Sequence, residues 1–166
     1  MGTRTMLALM FVGASAFGQN LSHAAPDDGR HYPTVIAAAV PLYPQIALAA
    51  HISGTVEIRV SVEKGAVVDA QVKSVEIQLT DPEHRAVYDE RAKMKVSPYL
   101  SNPAIANVKT WKFQPEDHGA FLVTFIYEIS GKETLHPRTQ KVELNLPLFV
   151  KVIASPLKPT CSDCSQ

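Results

Sequence analysis

The stretch TVEIRVSVEKGAVVDAQVKS, residues 55–74, decides the fold because it encodes two strands joined by a turn. Its first half alternates β-branched apolar residues with polar ones, which is typical of a strand with one buried face. Gly65 lies between the two halves and can adopt the positive φ that a tight turn requires. We therefore predict a β-hairpin here. The predicted inward-facing residues are Val56, Ile58, Val60, Val62, Val68, Ala70 and Val72.

The alternation changes phase at Ser74, because the next apolar residues, at positions 75, 77 and 79, have the opposite parity. A β-bulge or the end of the strand is predicted at this point. The following residues, 80–101, are rich in charged side chains, and Asp81 with Pro82 is a typical start for a short surface helix. We interpret this segment as a solvent-exposed insertion.

Helix signals flank the hairpin on both sides. Pro44 suits the first turn of one helix, and Gly54 is placed to end it. The small apolar face of this helix is predicted to consist of Ile46, Ala47, Ala49 and Ala50. Asn102 and Pro103 repeat the start signal for a second helix. The residues predicted to form its core-facing side are Ala104, Val108 and Trp111.

Two further segments have the composition of strands. FLVTFIYEIS, residues 121–130, is apolar on both faces, as is typical of a strand with a neighbour on each side. KVELNLPLFVKVIAS, residues 141–155, alternates up to Pro147, which is typical of an edge or bulged strand. Its predicted apolar face is Val142, Leu144 and Leu146. The element order predicts an α+β fold, in which two helices pack on one face of an antiparallel sheet and a C-terminal strand is added.

Composition limits the kinds of partner. The chain has 166 residues, of which 46% are apolar, and this suits one domain with a hydrophobic core. Its 16 basic and 16 acidic residues cancel, so no field attracts phosphate backbones. We therefore do not expect nucleic acid as a partner.

Residues 1–24 resemble an export signal in composition. Arg4 is followed by an apolar run, and small residues suited to cleavage occur at Ala16 and Ala24. The apolar run is shorter than the roughly 20 residues that a membrane-spanning helix needs. A cleaved signal peptide is favoured, and a retained membrane anchor is the alternative.

No arrangement of residues with catalytic or metal-binding spacing stands out. The six histidines, at positions 23, 31, 51, 84, 118 and 136, lack ligand spacing, and no Ser/His/Asp or paired-carboxylate motif is evident. We expect neither an enzyme nor a bound cofactor. Cys161 and Cys164 lie in a Pro/Ser/Thr tail, where a disulfide or two free thiols are favoured over redox chemistry.

A series of linked short motifs runs from residue 42 to residue 131. They are YP at 43–44, Ala47, GTVEIRVSV at 54–62, GAVVDAQVKS at 65–74, NVKTWKFQP at 107–115 and VTFIYEISG at 123–131. Together and in this order they resemble the C-terminal domain of TonB proteins. The residues that carry the family motif are Tyr43, Pro44, Gly54, Val56, Gly65, Trp111, Phe113 and Pro115.

The resemblance implies a structural role for these residues. In the family, the tyrosine and proline open the first helix and the glycine-valine segment begins the hairpin. The tryptophan corner leads from the second helix into the last strand of the sheet. Trp111 is thus expected to anchor helix to sheet, with Pro115 breaking the helix and redirecting the chain.

The resemblance also implies a function in peptide binding. Family domains lie in the periplasm and pair a sheet edge with the TonB box, a short peptide of an outer-membrane transporter, during energy-coupled transport. Inner-membrane motor proteins are further partners if the N-terminal segment is retained as an anchor, and homodimerisation stays open. The edge strand that meets the peptide is expected to carry Val123, Phe125, Tyr127 and Ile129.

The chain also departs from full-length TonB proteins, which have an uncleaved membrane helix and a long proline-rich spacer. We divide it into a signal peptide (1–24), a linker (25–41), the TonB-like domain (42–131), an extra C-terminal strand (132–155) and a tail (156–166). If the signal is cleaved, the alternative function is a free-standing periplasmic interaction or assembly module without motor coupling. The extra strand is expected to return antiparallel beside residues 122–130 and to cap that edge.

Overall fold

The computed structural model describes residues 32–79, 90–136 and 141–158. Among these residues, seven strands form one sheet in the order β1-β4-β3-β2-β5-β7-β6. The strands are β1 (Val35–Ala37), β2 (Ile52–Glu63), β3 (Ala66–Leu79), β4 (Lys112–Phe113), β5 (Gly119–Ile129), β6 (Lys141–Asn145) and β7 (Phe149–Ala154). The helices are α1 (Gln45–Ala49), α2 (Glu90–Val96) and α3 (Pro98–Val108). The predicted α+β class is confirmed.

The central hairpin forms as predicted. The four alternating apolar residues of β2, from Val56 to Val62, are all buried, and β3 pairs antiparallel with β2 along its length. Gly65 occupies the turn with φ +72°, and a Cβ atom there would lie 2.6 Å from the Phe113 carbonyl oxygen. Only glycine fits this position, because a side chain would meet both conformational strain and backbone atoms.

The bulge predicted at Ser74 is confirmed. Glu57 pairs with Ser74, whereas Ile58 pairs with Val72, so Lys73 has no partner on β2. A second register shift leaves Val68 without a partner.

The predicted burial of Val68 and Val72 is wrong, because both side chains are exposed. Val68 is 54% exposed, because the second bulge turns Val67 toward the core in its place. Val72 is opposite Ile58 on the core face, yet it is 38% exposed because it lies at the margin of the sheet.

The first helix is shorter than expected and buries a different pair of residues. Only Ala47 and Leu48 are buried, whereas Ile46 is 63% exposed and Ala49 and Ala50 are exposed. Five residues make little more than one turn, so only adjacent residues reach the sheet. His51, with φ 52°, follows the end of the helix, and Gly54 lies within β2 rather than ending α1.

The core-facing helix begins earlier than predicted. Pro98 occupies the first helical position, where its missing N–H costs no hydrogen bond, and Pro103 lies inside the helix. Asn102 is therefore not the cap. The predicted core face is nevertheless correct, because Ala104, Val108 and Trp111 are all fully buried.

Trp111 lies in the core between helix and sheet, where the anchor role was expected. Its ring lies 6.2 Å from that of Phe125 and 6.4 Å from that of Phe113, measured between centroids. Its Nε1–H donates to Oδ1 of Asn107 at 3.0 Å. Pro115, by contrast, does not break the helix, since α3 ends at Val108 and Pro115 lies exposed beyond β4.

The C-terminal segment forms two strands instead of one. β6 and β7 pair antiparallel, and Leu148 N–H donates to the Asn145 carbonyl at 2.8 Å in the turn between them. β7 pairs with β5 in a parallel arrangement, so the sheet is mixed and the prediction of an antiparallel sheet is wrong on this side.

The apolar face that was expected in β6 is not the buried one. Leu144 is 50% exposed, and Val142 and Leu146 are half-buried. The buried residues of the hairpin are Val150, Val152 and Ala154, on β7. β7 lies between β5 and β6, whereas β6 is the outermost strand. The residues of β7 are therefore the more deeply buried ones.

The segment predicted as a linker contributes a strand. β1 pairs with β4, and Thr34 N–H donates to Oδ2 of the buried Asp117 at 2.7 Å. Residues 1–24, Asp81 with Pro82, and the two cysteines lie outside the described residues. Of the helices that the structure describes, none has the length and apolar composition needed to cross a membrane.

Candidate functional site

The candidate site is the edge of β5 that faces away from β2. β2 pairs antiparallel with β5 on one side, and β7 pairs with residues 124–129 on the other. The expectation that β5 is an edge strand is therefore wrong for the folded chain. The strand that covers it comes from the chain itself, as the expected capping arrangement required, but it runs parallel to β5.

The four side chains predicted to meet a peptide belong to the core. Val123, Phe125, Tyr127 and Ile129 are all buried, at 0%, 0%, 2% and 9% exposure respectively. Tyr127 makes an edge contact with Tyr43, with ring centroids 5.5 Å apart. These four side chains point into the core. Pairing along β5 therefore depends on its main chain and on the alternate residues, whose side chains face outward.

The main chain of β5 is already used by the C-terminal hairpin. At one end of the contact, Thr124 N–H donates to the Leu148 carbonyl at 2.9 Å. At the other end, Ser130 N–H donates to the Ala154 carbonyl at 2.9 Å. The hairpin thus occupies this side of the β5 main chain along residues 124–129.

β7 is held by packing and by one ion pair. Val150 and Val152 are fully buried and extend the apolar core beyond β5. On the opposite face, Lys151 Nζ lies 2.7 Å from Oε2 of Glu128, and the hydrogen bond to this carboxylate raises the pKa of Lys151. The pair is partly exposed, so it contributes less than about 1 kcal/mol. Apolar burial therefore contributes more than the ion pair to holding β7 in place.

β6 contacts the core through the partly buried Val142, and Leu146 follows just after the strand. Glu143 and Lys141 form an ion pair at 2.7 Å, and the hydrogen bond from Lys141 lowers the pKa of Glu143. Both residues belong to β6 itself, so this pair does not tie the strand to the rest of the sheet. The hairpin is held mainly through β7.

Backbone hydrogen bonds also join the segments that precede and follow the hairpin. Thr134 N–H donates to the Pro156 carbonyl at 3.0 Å, and Lys158 N–H donates to the Thr134 carbonyl at 2.9 Å. A ring nitrogen of His51 lies 3.2 Å from the Leu157 carbonyl oxygen. Sequence reasoning missed these contacts because they join segments with no shared pattern.

The family-motif residues form the frame of the site. Tyr43 O–H donates to the Ile52 carbonyl at 2.7 Å, and burial raises the pKa of this phenol well above its ordinary value. Gly54 lies against the Glu76 main chain, where a Cβ atom would not fit. Val56 and Phe113 are buried, and Pro44 precedes α1. These residues shape the fold around β5.

An open cleft lies beside this frame, between residues 40–45 and α3. Its volume is about 420 Å³, and Tyr127, Pro103 and Thr110 are among the residues that line it. An adjoining cleft of about 410 Å³ is lined by Tyr99 and Pro98 with the start of α1. Within the described residues, no group of His, Cys, Asp or Glu is arranged to hold a metal ion.

Comparison of the sequence with protein-family models and with curated proteins gives no match. What the structure shows at this site is main-chain pairing of β7 along residues 124–129 of β5, backed by a packed apolar core.

Proposed function

We propose that this chain is a non-catalytic, TonB-like periplasmic domain that binds peptides of outer-membrane transporters by strand pairing along β5. In this proposal it acts in energy-coupled transmembrane transport, and its C-terminal hairpin competes with the peptide. The element order of α1, the β2–β3 hairpin, α3 and β5 fits the TonB-like arrangement that the motifs imply. The observation that carries the proposal is that β7 pairs with β5 along residues 124–129.

A seated strand supports the proposal because strand addition depends on the main chain. Every residue offers the same N–H and C=O groups, so an edge that accepts one extended segment is suited to accept another. Phe125 and Tyr127 anchor β5 in the core, and their rings stack with centroids 6.3 Å apart. A peptide would gain the β5 main-chain pairing at the cost of the β7 packing.

A second candidate function is a free-standing periplasmic interaction or assembly module without motor coupling. The same hairpin favours it, because β7 buries Val150 and Val152 completely and so resists displacement. In this case the edge is closed permanently, and the domain would use other surfaces.

A reversible lock on the hairpin distinguishes the two functions. Ile126 and Lys151 are paired in the β5–β7 register, and neighbouring strands lie about 4.8 Å apart, within the Cα separation that a disulfide spans. The full-length variant Ile126→Cys/Lys151→Cys is made with Cys161→Ser and Cys164→Ser, and its binding to fluorescent TonB-box peptides is measured by anisotropy. We expect the reduced protein to bind and the oxidised protein to bind at least about 10-fold more weakly.

The matched control locks the hairpin internally. Glu143 is paired with Lys151 across β6 and β7, so Glu143→Cys/Lys151→Cys forms a disulfide that leaves β5 free to separate from β7. Oxidation of this control should not reduce peptide binding. Equal binding by both forms of the β5–β7 variant would place the peptide elsewhere. A reduced protein that binds none of the peptides would favour the second candidate.

The mature N-terminus tests motor coupling separately. Intact Met1 in an inner-membrane fraction favours the transport component, because the anchor would then be retained. Cleavage near Ala24 favours the free-standing module. Mass spectrometry of the protein purified from its native envelope distinguishes these outcomes.

A further inference from the structure

The outer edge of β3 is long and, within the residues that the structure describes, largely unpaired. β3 pairs with β2 on one side, but β4 meets it on the other side only at Ala66. From Val67 to Gln78, no strand among the described residues pairs with this edge. Its alternate N–H and C=O groups are therefore available for pairing with another extended segment.

The side chains of this edge include apolar residues that natural edges usually avoid. Val68 and Val72 are 54% and 38% exposed. Two bulges, at Val68 and Lys73, interrupt the regular pairing of β3 with β2. Between the bulges, residues 69–72 are regularly paired with β2.

The charges on this edge are complementary to those on the same edge of a second copy. When two copies of β3 pair antiparallel about a two-fold axis at Gln71, Asp69 of each copy lies opposite Lys73 of the other. Both residues are exposed. The same register places Ala70 opposite Val72, and both belong to the core face because they pair with Val60 and Ile58. Opposite charges and apolar pairs across a sheet are each favourable.

From this we infer that a second copy of the chain pairs with the first through antiparallel β3 strands, and so joins two sheets into one. The formal net charge of zero removes the long-range repulsion that keeps many edges apart. The interface is isologous, since the same residues contribute from both copies, and it closes after two subunits. This inference does not depend on the proposed function, because β3 and β5 lie on opposite sides of β2.

Charge reversal tests the register with the full-length chain. We expect sedimentation equilibrium to show a reversible dimer. Asp69→Lys and Lys73→Asp should each weaken it about 10-fold or more, since each single reversal replaces two attractions by two repulsions. The double variant Asp69→Lys/Lys73→Asp should restore the parent affinity. Lys132→Asp makes the same charge change as Lys73→Asp at an exposed position outside the edge and should have no effect.

Cross-linking tests the axis directly. Gln71→Cys, in a background with Cys161→Ser and Cys164→Ser, should oxidise to a disulfide-linked dimer because position 71 meets itself. Gln78→Cys, exposed on the same strand, should not. A parent chain that stays monomeric at all concentrations, or a double reversal that fails to restore dimerisation, would overturn the inference. Binding of an unrelated extended peptide at β3 without dimerisation would also overturn it.

Discussion

Replacement of Trp111 by alanine should remove a large part of the stability of the domain. The side chain is 1% exposed and contacts Phe113 and Phe125 at ring distances of 6.4 and 6.2 Å. Truncation of a buried aromatic residue to alanine typically costs about 3 to 5 kcal/mol. The lost hydrogen bond to Asn107 adds little, because Asn107 is half-exposed and water can replace the indole.

The expected loss is large relative to the total. Small domains unfold with a free energy of about 5 to 15 kcal/mol, so Trp111→Ala should be partly unfolded or melt far below the parent. Far-UV circular dichroism with urea is the suitable assay, since the variant loses the only tryptophan of the chain and with it the fluorescence signal. Trp111→Phe, which keeps an aromatic ring, is the matched control and should lose less. The anchor interpretation fails if Trp111→Ala melts within a degree or two of the parent.

Three further predictions concern the frame of the site. Burial raises the pKa of Tyr43 and Tyr127 above the ordinary value of 10.0, so the unfolded state loses these protons first as pH rises. The free energy of unfolding should not depend on these groups below about pH 10, and above it should fall by about 1.4 kcal/mol per pH unit for each tyrosine. Tyr43→Phe should make this fall with pH less steep. The free energy is measured by urea unfolding at each pH, and an unchanged pH dependence in the variant would contradict the prediction. Gly65→Ala should destabilise the hairpin by about 1 to 2 kcal/mol or more, because the new Cβ meets two carbonyl oxygens at positive φ, and an unchanged melting temperature would count against the turn geometry. Arg59→Ala should change the free energy of unfolding by less than about 0.5 kcal/mol, because the side chain is exposed. Glu57→Ala should cost up to about 1 kcal/mol, because Ser74 Oγ donates to its carboxylate at 2.8 Å. A loss above about 2 kcal/mol from either variant would contradict the outward orientation of these side chains.

Local patterns predicted the central hairpin and the core face of α3. Alternation in β2 specified which residues are buried, and the phase change at Ser74 located a bulge. The start of α3 was missed because Asn102 and Pro103 imitate a helix start, although Pro98 supplies the real one. Alternation also could not reveal that Val68 is exposed, since that depends on a second bulge.

The direction of β7 could not be predicted from sequence. Residues 141–155 are compatible with either orientation, and β7 runs parallel to β5 because β6 and the turn at residues 146–148 reverse the chain before it. The candidate site shares this difficulty. Sequence patterns identified β5 and the segment that covers its edge, but only tertiary pairing shows that the covering strand runs parallel to β5.

The central claim is that a transporter peptide and β7 compete for the same edge of β5. Hydrogen exchange of the full-length chain, with and without a saturating TonB-box peptide, tests it most directly. The account predicts that amides of residues 149–154 lose protection when the peptide binds, while those of residues 124–129 remain protected. Peptide binding that leaves the protection of residues 149–154 unchanged would contradict the claim.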